Sequence, residues 1–204
     1  TVLSRGLGDV YKRQVEYTAA TRSSGGVEIA ALTKTITLNS TNPDIVIKGM
    51  INGEVHHDTV FVIQRKIGSG SYVEIGSAQN PGNNQNYGMW TASYDNNDNS
   101  TQSNYCINYM DTLTANIGSQ ITYRIVAYMR NTGDDIYNFH LNRTKRNTNE
   151  NYYERASSSI IFTEINKNSG TPVNQNPQTI ALKHTSTTTN DQDDQKSQIQ
   201  FLDH

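Results

Sequence analysis

One cysteine, Cys106, stands in the 204 residues of this sequence. An internal disulfide framework needs at least two, and a zinc site of the CxxC type needs more. In its setting, between Tyr105 and Ile107, the thiol reads as a small strand residue. Long apolar runs are missing as well. No stretch of about 18 apolar residues exists, so the sequence offers no transmembrane helix. No basic segment leads into an apolar one in the manner of a signal peptide. A dominant charge is lacking too: 17 Lys and Arg face 19 Asp and Glu, for a net charge of -2. That balance removes the electrostatic case for nucleic acid as a partner and for an anionic membrane surface. GxSxG, HExxH, P-loop and GxGxxG patterns are absent. The expectation is a protein that is not an enzyme, with no catalytic residues, no cofactor and no metal.

Hydrophobic residues make up 34% of the chain, and the mean hydropathy is -0.69. The deficit lies in Asn, Thr, Ser and Gln rather than in charge. This composition suits a thin β-sandwich with many polar turns, whereas a helical bundle needs more Leu, Ala, Glu and Lys.

What is present is alternation with a period of two, broken by turn residues. Residues 15–18 read as a short edge strand, followed by the SSGG turn at 23–26. Strands are expected over 27–32 and 35–38, ending at the breaker NSTNP (39–43). DIVIKGMI (44–51) has the apolar content of a buried strand, and Asn52-Gly53 after it is hairpin chemistry. TVFVIQRKI (59–67) is turned back by GSGS (68–71) onto YVEI (72–75). A further strand is expected over 87–94, a polar surface loop over 95–104, and another strand over 105–110.

The densest stretch runs from 120 to 165. ITYRIVAYM (121–129) has strand composition, and NTGDD (131–135) supplies turn chemistry. In IYNFHLNRT (136–144), Tyr137, Phe139 and Leu141 alternate with polar residues, so His140 and the asparagines are expected to face outward. SIIFTEI (159–165) closes the pattern. Strand, hairpin, strand, loop and terminal strand read as the closing edge of an antiparallel domain. The fold class expected is all-β, an antiparallel jelly-roll sandwich with disordered N- and C-terminal tails.

Three regions follow. Residues 1–14 (TVLSRGLGDVYKRQ) show neither periodicity and resemble translated adapter sequence at the ends of metagenomic reading frames. They are read as a non-native or disordered leader, and the chain as a fragment lacking its natural N-terminus. Residues 15–166 form the jelly-roll domain. Residues 167–204, with two prolines and a Thr-, Asn- and Asp-rich tract, form a disordered polar tail.

Candidate sites are few. Adjacent strand residues point to opposite faces, so His56 and His57 reach one metal only across a turn, and a solvated loop is the simpler reading. Asp134 and Asp135 are turn residues, and Glu154-Arg155 reads as a surface ion pair. Arg143, Lys145 and Arg146 make a basic knot too small for a nucleic-acid footprint. Three N-x-S/T sequons, at Asn39, Asn99 and Asn142, arise by chance in a chain so rich in Asn and Thr. The remaining candidates are loop aromatics suited to stacking on sugars or proteins: Tyr87, Trp90, Tyr94, Tyr152 and Tyr153. Against this, Trp90 and Tyr94 share one side of their expected strand, and core is the favoured reading for both.

The order LTKTITL (32–38), DIVI (44–47), TVFVIQR (59–65), GSA (76–78), YMD (109–111), TYRI (122–125), LNRT (141–144) and SSIIFTEI (158–165) resembles the jelly-roll domains of virion structural proteins from marine viruses. Those domains occur in phage tail fibres and related appendages and are similar in topology to the C1q/TNF head. The resemblance covers roughly residues 15–165. It implies a homotrimer of threefold symmetry, no catalysis, no membrane insertion, and placement in the virion, in a tail fibre or surface appendage. The partner it suggests is a host-surface glycan or protein, met by the loops at 79–86, 95–104 and 145–153. The alternative is a carbohydrate-binding β-sandwich module of a larger surface protein or enzyme.

Overall fold

The computed structural model describes residues 7–11 (backbone alone), 13–55, 58–82, 85–92, 101–130, 137–146 and 153–167. The chain divides into the units Thr1–Ser169 and Gly170–His204, and the second lies outside the described residues.

Among the described residues, twelve strands form two sheets. They are β1 (Leu7–Tyr11), β2 (Val15–Tyr17), β3 (Val27–Glu28), β4 (Lys34–Thr37), β5 (Asp44–Glu54), β6 (Val60–Ile67), β7 (Val73–Ile75), β8 (Trp90–Thr91), β9 (Ser103–Thr112), β10 (Gln120–Tyr128), β11 (Phe139–Leu141) and β12 (Ser158–Ile165). Several of these are two halves of one interrupted run. Both β11 and β12 lie on the side of β5 opposite β9, end to end: Leu141 faces Gly53 and Ser159 faces Met50. β2 and β1 flank them in the same way. In the other sheet β3 and β4 share one side of β10, and β7 and β8 share one side of β6. Counted as runs, the first sheet (sheet A) reads first, eighth, third, sixth, and the second (sheet B) reads second, seventh, fourth, fifth. Every pairing is antiparallel. This order of eight runs in two sheets is the jelly roll.

Alternation builds the interior. Ile45, Ile47 and Ile51 from β5, Phe61 and Ile63 from β6, Ile121, Tyr123 and Ile125 from β10, and Phe139, Leu141, Ile160 and Phe162 from β11 and β12 are all buried in one cluster. Rings lock the two sheets together. Phe61 meets Phe139 edge-on at 5.2 Å, and Tyr123 stacks on Phe162 at 5.1 Å. Each such side chain contributes about 1.5–3 kcal/mol by leaving water.

Several expectations are corrected. Asn52-Gly53 is not a turn: both lie buried within β5. A Cβ on Gly53 would stand 2.6 Å from the Phe139 ring, so the glycine serves close approach rather than chain reversal. The stretch 121–144 is not a hairpin. β10 sits inside sheet B and β11 in sheet A, so the chain crosses between sheets there; the expected turn at 131–135 lies outside the described residues. Nor is the stretch an edge, because β10 lies between β6 and the β3–β4 run, and β12 between β1 and β5. His140 and Asn142 do not face solvent; they are 4% and 2% exposed. Residues 7–11, set apart from the domain on sequence grounds, run as a strand beside β12. A sheet edge offers unpaired N–H and C=O groups that any extended backbone satisfies, whatever its side-chain pattern. Two expected strands differ: 27–32 yields β3 and then a 3-10 turn at Ala30–Leu32, and of the described residues 87–92 in the other, Trp90–Thr91 alone pair as a strand.

Candidate functional site

The outer face of sheet B carries a built network. Val60, Val62, Val126 and Tyr128 point away from the main core yet are buried. Their cover comes from two loops. A Cβ on Gly26, at φ 71°, would lie 2.5 Å from the Tyr128 ring, and one on Gly88 would lie 3.1 Å from Val60 Cβ. Backbone this close leaves no room for water, and glycine alone permits it.

Arg22, in the 3-10 turn Arg22–Ser24, fastens this roof. Its guanidinium lies between two rings, 3.8 Å from the centroid of Tyr87 and 3.9 Å from that of Tyr128. It donates to Glu74 Oε1 at 2.6 Å and to the carbonyl oxygen of Tyr87. Glu74 Oε1 also accepts the Tyr128 hydroxyl at 2.6 Å, and that hydroxyl accepts from Gln64 Nε2 at 3.0 Å. The chain continues through Arg124, whose Nε donates to Gln64 Oε1 and whose Nη1 donates to Glu28 Oε2, both at 2.8 Å. Tyr72 covers the Arg124 guanidinium at 3.6 Å.

Two arginines thus meet two glutamates and three aromatic rings. Each guanidinium is matched by a carboxylate, so the network fastens chain to chain rather than presenting charge to an anion. Burial, and then donation to Glu74, push the Tyr128 phenol up to about 12, so at neutral pH it is a fixed donor and no base. Glu74 precedes the loop at 79–86 and Tyr87 follows it, and one guanidinium holds both.

Sheet A repairs its own interruption differently. Asn142, at φ 59°, ends β11. Its N–H donates to Asn52 O at 2.8 Å. Its Oδ1 accepts the Ser158 N–H at 2.8 Å and the Ser158 hydroxyl at 2.6 Å. Asn52 N–H donates to Ser158 Oγ at 2.9 Å, and Asn142 Nδ2 reaches Arg13 O at 2.9 Å. Side-chain amide and hydroxyl stand in for the missing ladder, so the strand continues across the excursion at 143–157. The sequon at Asn142 is therefore buried and its amide engaged.

The base of that excursion is also held. Arg143 Nη2 and Asn138 Nδ2 donate to Glu16, at 2.6 and 2.8 Å, and the Lys145 N–H donates to the buried Glu54 at 2.7 Å. His140 Nδ1 lies 3.8 Å from Glu16 Oε2. Inside the sandwich, Arg65 and the Tyr123 hydroxyl both donate to Asp111, at 2.6 and 2.8 Å. Burial, with Asp111 alongside, pushes the Tyr123 phenol far above its usual range.

Of the five candidate aromatics, Tyr94 and Tyr152 lie outside the described residues, as do His56, His57, Asp134 and Asp135. Tyr87 is half-buried with one face taken by Arg22. Trp90, opposite Phe61 in the sheet, packs against the main core. Tyr153 is half-buried in the excursion from sheet A. The structure therefore attaches Tyr87 and Tyr153 to different sheets. Among the described residues no group of three His, Cys, Asp or Glu is placed to hold a metal, and no helix is long and apolar enough to cross a membrane. Arg22 and Glu74 carry no motif; TRSSGG reads only as a turn.

No family model matches the sequence, and no curated protein matches it. Solved structures do align with it. One is the VP2 subviral particle of infectious bursal disease virus, at 11% identity and a TM-score of 0.47, covering 81% of this chain and 33% of that one. Another is the T13 particle of the same virus, at 12% identity and a TM-score of 0.42, covering 80% and 36%. The chain spans about a third of the length of those proteins. The jelly-roll assignment rests on the strand order itself.

Proposed function

We propose that this chain is a virion structural protein. On this reading its jelly roll is a module of a tail fibre or surface appendage, assembling as a homotrimer with threefold symmetry. What carries the reading is the strand order of the two sheets, joined to the ordered motif resemblance from LTKTITL to SSIIFTEI; it is an inference by analogy of fold. The anchored loops add to it. A guanidinium holds both ends of the loop at 79–86, and Glu16 and Glu54 hold the start of the excursion at 143–157. Anchored bases under polar loops suit the display of host-surface contacts.

Trp90 packed against the core and Tyr87 stacked on Arg22 make a poor sugar platform, so contact with a glycan or protein falls to the loops at 79–86, 95–104 and 145–153. Antibodies raised against the chain should label purified virus particles at a fibre or surface appendage, and light scattering of the whole chain should give the trimer mass. Label confined to non-viral material, with a monomer in solution, overturns the proposal.

A further inference from the structure

The four outer runs of the two sheets are not built alike. Three are broken. The β1–β2 run is interrupted at residues 12–14, the β3–β4 run by the 3-10 turn at Ala30–Leu32, and the β7–β8 run by residues 76–89. Each also carries charge: Glu16 in β2, Glu28 and Lys34 in β3 and β4, Glu74 in β7. Short, interrupted and charged edges are how β proteins keep their borders from pairing with other chains.

The fourth, β9, has none of these guards. It runs unbroken for 10 residues, SNYCINYMDT. Among the described residues it is the outermost strand of sheet A, paired along its whole length with β5 on one side. It contains no Pro, Lys or Arg. Its single charge, Asp111, is buried and neutralised by Arg65. The side chains on its outer face, Asn104, Cys106, Asn108 and Met110, are all exposed and all uncharged. On the same outer face Met50, opposite Cys106, and Met110, opposite Val46, are 39% and 56% exposed, on either side of the Lys48–Asn108 pair.

We propose that β9 is an association edge, and that its partner is the β9 strand of a second copy, paired antiparallel so that sheet A runs on across a twofold axis. The strand is self-complementary in the way such a contact demands. In an antiparallel pair, directly opposed side chains share a face, so inner residues must meet inner ones. With Ile107 on the axis, Tyr105 meets Tyr109 of the other copy on the inner side and Cys106 meets Asn108 on the outer side. Centring on Cys106 or Asn108 preserves the same rule. None of these three registers opposes like charges, and a net charge of -2 adds little repulsion between copies. A heterologous contact with one of the other three edges meets a break within a few residues.

The test uses the whole chain at high micromolar concentration. Two double variants, C106K/N108K and C106E/N108E, place like charges opposite each other in all three registers while altering only exposed outer positions. Circular dichroism checks that each keeps its fold. Sedimentation of the wild-type chain should show a twofold species, a dimer or a pair of trimers. Each variant alone should lose it, with association weakened on the order of tenfold. An equimolar mixture of the two should restore it, which a merely structural effect of the substitutions would not do. A wild-type monomer overturns the proposal. So does a trimer that persists unchanged in both variants, an outcome that would leave the appendage reading standing. A dimer abolished by both variants supports β9 pairing and counts against the trimer.

Discussion

Two interrupted strands are mended in this molecule by different chemistry. In sheet A, Asn142, Asn52 and Ser158 bridge the break with hydrogen bonds buried to 4% exposure or less. In sheet B, the break between β7 and β8 is mended from outside, by Arg22 stacked between Tyr87 and Tyr128. The Arg22 and Glu74 side chains remain 25% and 23% exposed. The stitch works by imitating backbone, so it depends on geometry and tolerates no substitute: an unmet N–H in that position has no water to turn to. The clamp works by several weaker contacts at a wetter site, each replaceable in part by solvent. One repair makes the sheet continuous, and the other fastens a loop onto it.

The sharpest way to break this comparison is at the stitch. Asn142→Ala removes the acceptor for two Ser158 donors and the residue type that tolerates positive φ. Chemical denaturation should record a loss of about 2–4 kcal/mol; a loss under about 1 kcal/mol would mean that water already serves the site. Next comes the apolar layer beneath the clamp. Val62 is fully buried on the outer side of its sheet, and Val62→Ala should cost about 2 kcal/mol by the same measurement.

Removing the clamp itself should matter less. Arg22→Ala should cost about 1 kcal/mol, and amide exchange should quicken at residues 85–88 while β5 stays protected. Equal quickening in both sheets would show that the guanidinium supports the whole fold.

A fourth effect is alkaline. The Tyr128 phenol stands at about 12 in the folded chain against an ordinary value of 10.0. The folded state therefore holds the proton more tightly, and the stability this provides is complete below pH 10 and is lost as pH rises from 10 toward 12. Ultraviolet absorbance should show two tyrosines ionising late, Tyr128 before Tyr123, and Glu74→Gln should bring the Tyr128 step earlier. The smallest effect belongs to the outer face of sheet A. Ile161 is 41% exposed there, and Ile161→Ala should change stability by less than about 0.5 kcal/mol, in contrast to Val62→Ala on the equivalent face of sheet B.

Much of the strand inventory was legible. DIVIKGMI, TVFVIQRKI and SSIIFTEI are compact runs rich in β-branched and aromatic residues, and the GSGS turn sets β7 beside β6. Partner choice was not legible. A hairpin between 121–129 and 136–144 looked natural because turn residues separate two strands, but turn chemistry marks a change of direction without saying which sheet receives the next strand. Asn52-Gly53 failed for a related reason. Its glycine answers the ring of Phe139, far away in the chain, and local sequence carries no trace of that ring. Tyr87 and Trp90 could be named as aromatics near loops, yet their roles depend on Arg22 and Phe61, residues with no motif to link them.

By itself the sequence determined an all-β protein of many short strands and polar turns, because a period of two in a chain with few Leu and Ala leaves no helical stripe to bury. Only the tertiary structure decided that β10 and β11 part company, that Asn142 is a stitch and not a surface residue, and that β9 is an unguarded border. The physical reason is common to all three. Backbone hydrogen bonds and same-face packing choose partners across the chain, at separations where neighbouring residues exert no preference.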